Sequence, residues 1–114
     1  MREITIKFRK GKIKAHYAET FFEKARGLMF AVPPKNKGLL IDCNKESRLG
    51  SSIHMLFVFF PLDILWLNSK KKIVDIRHVF SFMPFAMSRK PTKYVLELPS
   101  GYGKKFKIGE KLRF

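Results

Sequence analysis

The start of the chain alternates between hydrophobic and polar residues, which is typical of half-buried β-strands. In "EITIKF" every second side chain is apolar, and "KIKAHYA" continues this alternation after Gly11. Because the two runs flank the short segment "RKGK", they predict a β-hairpin with a glycine-containing turn. The residues predicted to face inward are Ile4, Ile6 and Phe8 on the first strand and Ile13, Ala15 and Tyr17 on the second.

Helical spacing replaces the alternation at residue 20. Thr20 and Glu23 have the spacing of a capping box, and Gly27 is placed to end a helix. Apolar residues recur between them at helical intervals, so the pattern predicts one short helix near residues 20–27. The prolines of "AVPPKNKG" then predict a loop, and "LLIDC" predicts the next strand.

The most apolar segment, "IHMLFVFFPLDILWLN", is too interrupted for a membrane helix. Such a helix needs about 20 predominantly apolar residues, whereas here Pro61 would break the helix and Asp63 would be costly in lipid. The segment instead predicts two strands, 53–59 and 62–67, joined at a bend. Since "NSKK" is a turn and "KIVDIRHV" can return from it, residues 62–79 are expected to form a second hairpin.

The remaining strands complete a β-rich chain. "KYVLELP" predicts a core strand, and "KIGEKLRF" predicts a turn followed by a final strand with Leu112 and Phe114 on one side. The sequence therefore predicts seven or eight strands and one short helix. We therefore expect a mainly β fold at the margin of α+β: a single compact antiparallel β-barrel-like domain spanning residues 1–114, with one short helix.

Composition narrows the class of protein. Hydrophobic residues make up 46% and charged residues 29%, which is ordinary for a folded globular chain. Cys43 is the only cysteine, so no intrachain disulfide forms, and a reducing compartment is favoured. The start of the sequence has no apolar stretch of a secretory signal. The expected location is the cytoplasm, and the lysine-rich, glutamine-free composition suits a thermophilic source.

The net charge is the unusual feature. Lys and Arg number 24 and Asp and Glu number 9, which leaves +15 at pH 7. Such a charge favours a polyanionic partner such as nucleic acid, acidic lipid or a phosphate-bearing ligand. The alternative is a lysine-rich surface that only provides solubility. Because no recognisable nucleic-acid motif accompanies the charge, we expect any binding to single-stranded nucleic acid to be weak, sequence-independent and salt-sensitive.

Four motifs occur in a characteristic order: "KARGLMF", then "IHMLFVFFPLDILWLN" running into "KKKIVDI", then "KYVLELPSG", then "KIGEKLRF". Over residues 14–114 this order and spacing resemble the family named domain of unknown function one hundred and ninety-two, an uncharacterised conserved bacterial and archaeal family. The chain departs from the family pattern at His54, where many relatives have Trp, and at Leu56, Phe57 and Val58, which replace Lys-Asn-Thr. The resemblance implies a compact, largely β fold and no established activity.

Motifs for known chemistries are absent from the sequence. No paired carboxylates, glycine-rich phosphate loop, HExxH or CxxC is present, so no cofactor is predicted. Three histidines, His16, His54 and His78, lie on separate predicted strands and could hold a metal with Cys43 only if the fold brought them together. The favoured interpretation is no metal site, with His54 packed beside the core.

Asp63 is the most informative single residue, because a carboxylate here lies inside the apolar segment. Alternation places it on the same face as Leu65 and Leu67, which predicts burial with a partner. Arg26, in the "KARGLMF" motif, is the predicted partner in a structural ion pair. The alternative is a small enzyme with a site around Arg26, His54 and Asp63.

The segment "RHVFSFMPFAMSRK" is the second candidate site. Its apolar residues are too many for a solvated loop, and basic residues flank them. The segment could cover the open end of the sheet and supply core, or form a homo-oligomer interface through residues 79–88, or stack nucleobases. The candidate binding or interface residues are Arg77, His78, Phe80, Phe82, Phe85, Arg89 and Lys90.

Two classes of function follow. The leading hypothesis is a non-catalytic binding or interaction module with a basic surface, of which a nucleic-acid binder without sequence specificity is one form. The small enzyme is the alternative.

Overall fold

The computed structural model describes residues 2–18, 37–47, 61–79 and 88–114. Within them, six strands form one sheet in the order β1-β2-β3-β6-β4-β5. A 3₁₀ turn, η1, follows the last strand at Tyr102–Lys105. The strands are β1 Arg2–Phe8, β2 Gly11–Ala18, β3 Lys37–Ser47, β4 Leu62–Leu67, β5 Ile73–Val79 and β6 Thr92–Pro99.

Both predicted hairpins are confirmed. β1 pairs with β2 around Arg9 and Lys10, and Gly11 adopts a φ of 154°, which glycine tolerates better than other residues. β4 pairs with β5 across the turn that follows Leu67. The burial of Ile6, Ile13 and Ala15 confirms the predicted inward face of the first hairpin.

The sheet is mixed rather than purely antiparallel, which corrects one detail of the expected fold. Four of its five strand pairings are antiparallel, but β2 and β3 run parallel. A parallel pair needs a connection of about a dozen residues or more. Residues 19–36, between these two strands, provide that length.

The two faces of β4 belong to two separate hydrophobic clusters, as its alternation predicts. Leu65 and Leu67 lie in the larger one, the first core cluster, together with residues of β1, β2, β3, β5 and β6 and with Phe106 and Leu112. The second core cluster contains Leu62, Ile64, Trp66, Val79 and Val95. All six residues of β4 are buried, so this strand has no solvent face.

The C-terminal segment is not the final strand that its alternation predicts. Gly109 has a φ of 93° within a turn, and the segment makes only single-residue bridges, Lys7 with Arg113 and Lys72 with Lys111. These bridges join it to β1 on one side and to the residue before β5 on the other. The described strands therefore form a barrel-like sheet that is not closed by continuous strand pairing.

Several predicted elements lie outside the described residues. They are the helix near 20–27, the strand 53–59 and the aromatic part of the loop at 80–87. Among the residues that the structure does describe, no helix has the length and apolarity needed to cross a bilayer.

Candidate functional site

Asp63 lies at the start of β4, where the β4–β5 register places it directly opposite His78. The Nδ1 atom of His78 is 2.7 Å from Oδ1 of Asp63. Because an ionised carboxylate only accepts hydrogen bonds, we assign the donated proton to Nδ1. The hairpin register therefore fixes an Asp–His pair that combines one candidate residue from each predicted site.

The other carboxylate oxygen of Asp63 anchors the turn after β6. Oδ2 accepts hydrogen bonds from the backbone N–H groups of Gly101 (2.9 Å) and Gly103 (2.8 Å). A Cβ atom at Gly103 would lie 3.0 Å from Oδ2 of Asp63, so this close approach favours glycine. Only 6% of Asp63 is exposed, in agreement with the burial that its apolar neighbours predict.

A surface pocket of about 500 Å³ opens beside this pair. Its lining residues are Asp63, Ile76, His78, Ser100, Gly101, Gly103 and Lys104, so polar groups surround one apolar side chain. The side chain of His78 is 44% exposed, whereas that of Asp63 is 8% exposed. The arrangement therefore buries the carboxylate and presents the ring to the pocket, which suits hydrogen bonding or proton transfer to a bound molecule.

Two predicted members of the enzyme site, Arg26 and His54, lie outside the described residues, as do Phe80, Phe82 and Phe85 of the loop. The ion pair between Arg26 and Asp63 stays a prediction. Arg77 and Lys90 are exposed at either side of the loop.

Arg89, predicted as a binding residue, holds the end of that loop against β5. Its Nη2 atom donates to Oδ1 of Asp75 at 2.9 Å, and its backbone N–H donates to Oδ2 at 3.1 Å. Asp75 is fully buried, and the Ile76 N–H also donates to it. Burial raises the pKa of Asp75, but the Arg89 hydrogen bonds and charge outweigh burial and hold its pKa below the ordinary value.

Removing the Asp75 charge should therefore destabilise the protein. Asp75→Asn is expected to lower the free energy of unfolding by about 2 kcal/mol at pH 7. The neutral amide would form weaker hydrogen bonds with the Arg89 guanidinium and with the backbone N–H groups of Arg89 and Ile76. A carboxyl with a lowered pKa stabilises above its unfolded pKa and loses that contribution as the pH falls through the folded value. The difference between the two proteins in urea melts should therefore shrink below pH 4, near the ordinary value of 3.8. A constant difference at every pH, or one no larger than that of exposed Lys90→Gln, would contradict this assignment.

Glu97, in the middle of β6, is a buried acid that sequence reasoning missed. It is 7% exposed and lies between Leu39 of β3 and Ile64 of β4 in the register of the sheet. Among the described residues, no hydrogen bond or ion pair to the Glu97 carboxyl is found, although its backbone lies between two paired strands. Burial in these apolar surroundings raises the pKa of Glu97 from 4.5 to about 7.

The described candidate metal ligands, Cys43, His16 and His78, do not form a metal site, and His54 lies outside the described residues. His16 pairs with Glu3 across the first hairpin, Cys43 packs against the second core cluster, and His78 contacts Asp63. Among the residues described, no group of three potential metal ligands occurs.

A second concave surface lies between the first hairpin and η1, and we call it the basic groove. It has a volume of about 380 Å³. Phe8, Ile13 and Tyr102 provide its apolar side chains, and none of its seven lining residues is acidic. The ammonium of Lys105 lies 4.7 Å from the centre of the Tyr102 ring. The lining residues are Thr5, Phe8, Lys12, Ile13, Lys14, Tyr102 and Lys105.

Cations face each other across the strands next to this groove. Lys7 of β1 is directly opposite Lys12 of β2, and its other neighbour is Arg113 of the C-terminal segment. All three residues are exposed. Like charges placed directly opposite on a sheet are destabilising. We call Lys12, Lys7 and Arg113 the basic row.

Comparison with known proteins identifies sequence relatives without a described activity. The sequence model of the DUF192 family, described as "Uncharacterized ACR", matches residues 4–114. A UPF0127 protein of Thermococcus sibiricus is 35% identical over 95 residues, which are 81% of this chain and 60% of that protein. One from Thermococcus kodakarensis is 32% identical over 100 residues, 88% of this chain and 61% of that protein. The chain thus spans about three-fifths of the length of these archaeal relatives.

Solved structures share the fold at low sequence identity. A protein of unknown function from Novosphingobium aromaticivorans aligns with a TM-score of 0.84 and 23% identity, covering 98% of this chain and 84% of that one. A protein from Sinorhizobium meliloti, described as a proposed transcription regulator, aligns with a TM-score of 0.83 and 24% identity. The alignment covers 97% of this chain and 91% of that protein. At such identities the likeness establishes the fold alone.

Proposed function

This chain belongs to the DUF192 family, for which no activity is established, and from its charged surface we propose that it is a non-catalytic binding module whose basic groove and basic row bind single-stranded nucleic acid without sequence specificity. The basic row is the observation that carries the proposal. Like charges on opposed strand positions cost stability, and an external polyanion offsets that cost by neutralising all three cations.

The basic groove supplies the second half of the argument. Single-strand binders combine a positively charged groove for the phosphates with apolar or aromatic side chains for the bases. Here Lys12, Lys14 and Lys105 line the groove together with apolar side chains that include Phe8 and Tyr102. Lys14 also lies 3.8 Å from the carboxylate of Glu3. Lys12 belongs to both the groove and the row, so the two form one continuous surface.

A second candidate function is a small enzyme, which the Asp63–His78 pair favours. An imidazole held by a buried carboxylate is a common arrangement for general acid–base work. The sequence hypothesis placed such a site around Arg26, His54 and Asp63. Because acid–base chemistry also needs a substrate in place, we rank this function below nucleic-acid binding.

The proposed function predicts weaker affinity when the basic row is neutralised. Lys7→Gln with Lys12→Gln should weaken binding of a labelled single-stranded oligonucleotide about tenfold at low salt, since two phosphates are no longer neutralised by the protein. The same double variant should be no less stable than the parent, because it removes a like-charge pair. Fluorescence anisotropy and thermal melts measure the two effects.

The matched control is Lys70→Gln with Lys90→Gln, which removes the same charge from exposed positions outside the groove and row. Because Lys90 flanks the loop predicted as an alternative binding segment, unchanged affinity would also count against that loop. Its affinity should stay close to that of the parent. An abasic oligonucleotide should bind more weakly than the normal one if the apolar side chains contact bases. Equal weakening in both double variants, or affinity no higher than that of an unrelated basic protein, would leave the charge with only a role in solubility.

A further inference from the structure

We propose that the pocket beside Asp63 and His78 is a separate site for a small oxyanion, a phosphate or carboxylate group, that His78 and Lys104 bind. The pocket lies on β4, β5 and the Ser100–Lys104 turn, and none of its lining residues is shared with the basic groove. The inference therefore does not depend on nucleic-acid binding.

Asp63 is the positioning residue of this site rather than a ligand group. Its carboxylate accepts hydrogen bonds from His78, Gly101 and Gly103, all at 2.9 Å or less. These hydrogen bonds involve both carboxylate oxygens, and the one from His78 orients the Nδ1 atom of the imidazole toward Asp63 on β4. The Nε2 atom lies on the other side of the ring from the carboxylate; it donates to an anion when the ring is doubly protonated and is an acceptor when the ring is neutral.

The charges that line the pocket are complementary to an anion. Lys104 is exposed and carries a full positive charge, and the Ser100 hydroxyl can also donate. The only acidic side chain in the lining is Asp63, which is buried and already hydrogen-bonded. A bound oxyanion would thus meet donors, and hydrogen bonds between an oxyanion and charged donors are among the stronger ones in proteins.

The Ser100–Lys104 turn determines the position of this pocket. Asp63 accepts hydrogen bonds from the backbone of Gly101 and Gly103, and the next residue, Lys104, lines the same pocket as His78. Gly101 has a φ of 97°, a conformation that favours glycine. The "SGYGKK" segment is therefore held by Asp63 in a shape that brings one lysine to this pocket and the following lysine to the basic groove.

Titration with inorganic phosphate tests the site. At constant ionic strength, the ring resonances of His78 and the backbone amide resonances of Gly101 and Gly103, which line the same pocket, should shift and saturate in ¹H–¹⁵N NMR spectra, while the ring resonances of His16 on β2 should not. His78→Leu and Lys104→Gln should each weaken phosphate binding about tenfold, the effect of removing a hydrogen bond to a charged group. Asp63→Asn should also weaken it, because the single acceptor oxygen of the amide cannot serve both the His78 ring and the backbone N–H groups of Gly101 and Gly103. A parallel titration with acetate distinguishes a carboxylate site from a phosphate site.

Two controls keep the outcome clear. Lys7→Gln with Lys12→Gln should leave the His78 response unchanged, because those residues belong to the other surface. If Asp63→Asn does not fold, the His78 and Lys104 variants carry the test alone. A response that does not saturate for either anion, that His16 shares, or that the Gly101 and Gly103 amides retain in both His78→Leu and Lys104→Gln would overturn the site without affecting the proposed nucleic-acid surface.

Discussion

Glu97→Gln should stabilise the protein at alkaline pH. The pKa of Glu97 is raised from 4.5 to about 7 by burial, so the folded state retains a proton that the unfolded state has already released. Stability attributable to this carboxyl is complete below pH 4.5 and is lost as the pH rises through 7. From pH 4 to pH 8 the decrease amounts to about 3 kcal/mol. The variant, which stays neutral, should avoid that decrease.

The measurement is the free energy of unfolding of both proteins by urea titration across this pH range. Their difference should be small near pH 4 and should grow in favour of Glu97→Gln until about pH 7, after which it should level off. Glu3→Gln is the matched control, because Glu3 is an exposed carboxyl near Lys14. A difference that does not change with pH would mean that Glu97 has an ordinary pKa in the folded protein.

Asp63→Ala should be among the most destabilising single substitutions in the described structure. It leaves the N–H groups of Gly101 and Gly103 and the ring of His78 without their acceptor. Removing one partner of a buried charged network typically costs about 3–5 kcal/mol. Asp42→Ala is the comparison, since Asp42 is half-buried and accepts the Tyr17 hydroxyl, so a destabilisation of about 1 kcal/mol is expected there.

Double-mutant cycles separate the partners of Asp63. Combining Asp63→Ala with His78→Ala should recover part of the summed destabilisation, because residues in contact are not additive. The same cycle with Arg26→Ala tests the predicted ion pair: recovery would place Arg26 in the network, and strict additivity would leave Asp63 with His78 and the turn alone. A destabilisation under about 1 kcal/mol for Asp63→Ala would mark these interactions as solvent-screened and contradict the buried network.

Local patterns were sufficient for the hairpins and the two faces of β4. Alternation specifies which residues of a strand share a face, and a short turn specifies which strand is its neighbour. The parallel pairing of β2 with β3 could not be predicted in the same way, because it joins strands through a long connection that leaves no local signal. The prediction of a final strand was wrong, because alternation at Leu112 and Phe114 does not reveal that the segment after the turn at Gly109 makes only single-residue bridges.

The candidate site was predictable only in part. The apolar neighbours of Asp63 correctly indicated burial, but its pairing with His78 depends on the exact register of a hairpin that has an irregularity at Trp66 and Leu67. Glu97 was missed because leucines on both sides make the strand look wholly apolar. The signal was nevertheless present, since alternation puts Glu97 on the face of Val95, in the second core cluster.

The salt dependence of oligonucleotide binding tests the proposed function most directly. The slope of log affinity against log salt has a steepness of about 0.7 for each phosphate of a single strand that the protein neutralises. Lys7→Gln with Lys12→Gln should therefore make the slope shallower than that of the parent by about 1.4, because two phosphates are no longer neutralised. Lys70→Gln with Lys90→Gln should leave the slope unchanged. Equal slopes for the parent and both double variants, or equal reductions in the two variants, would contradict a nucleic-acid surface at the basic row.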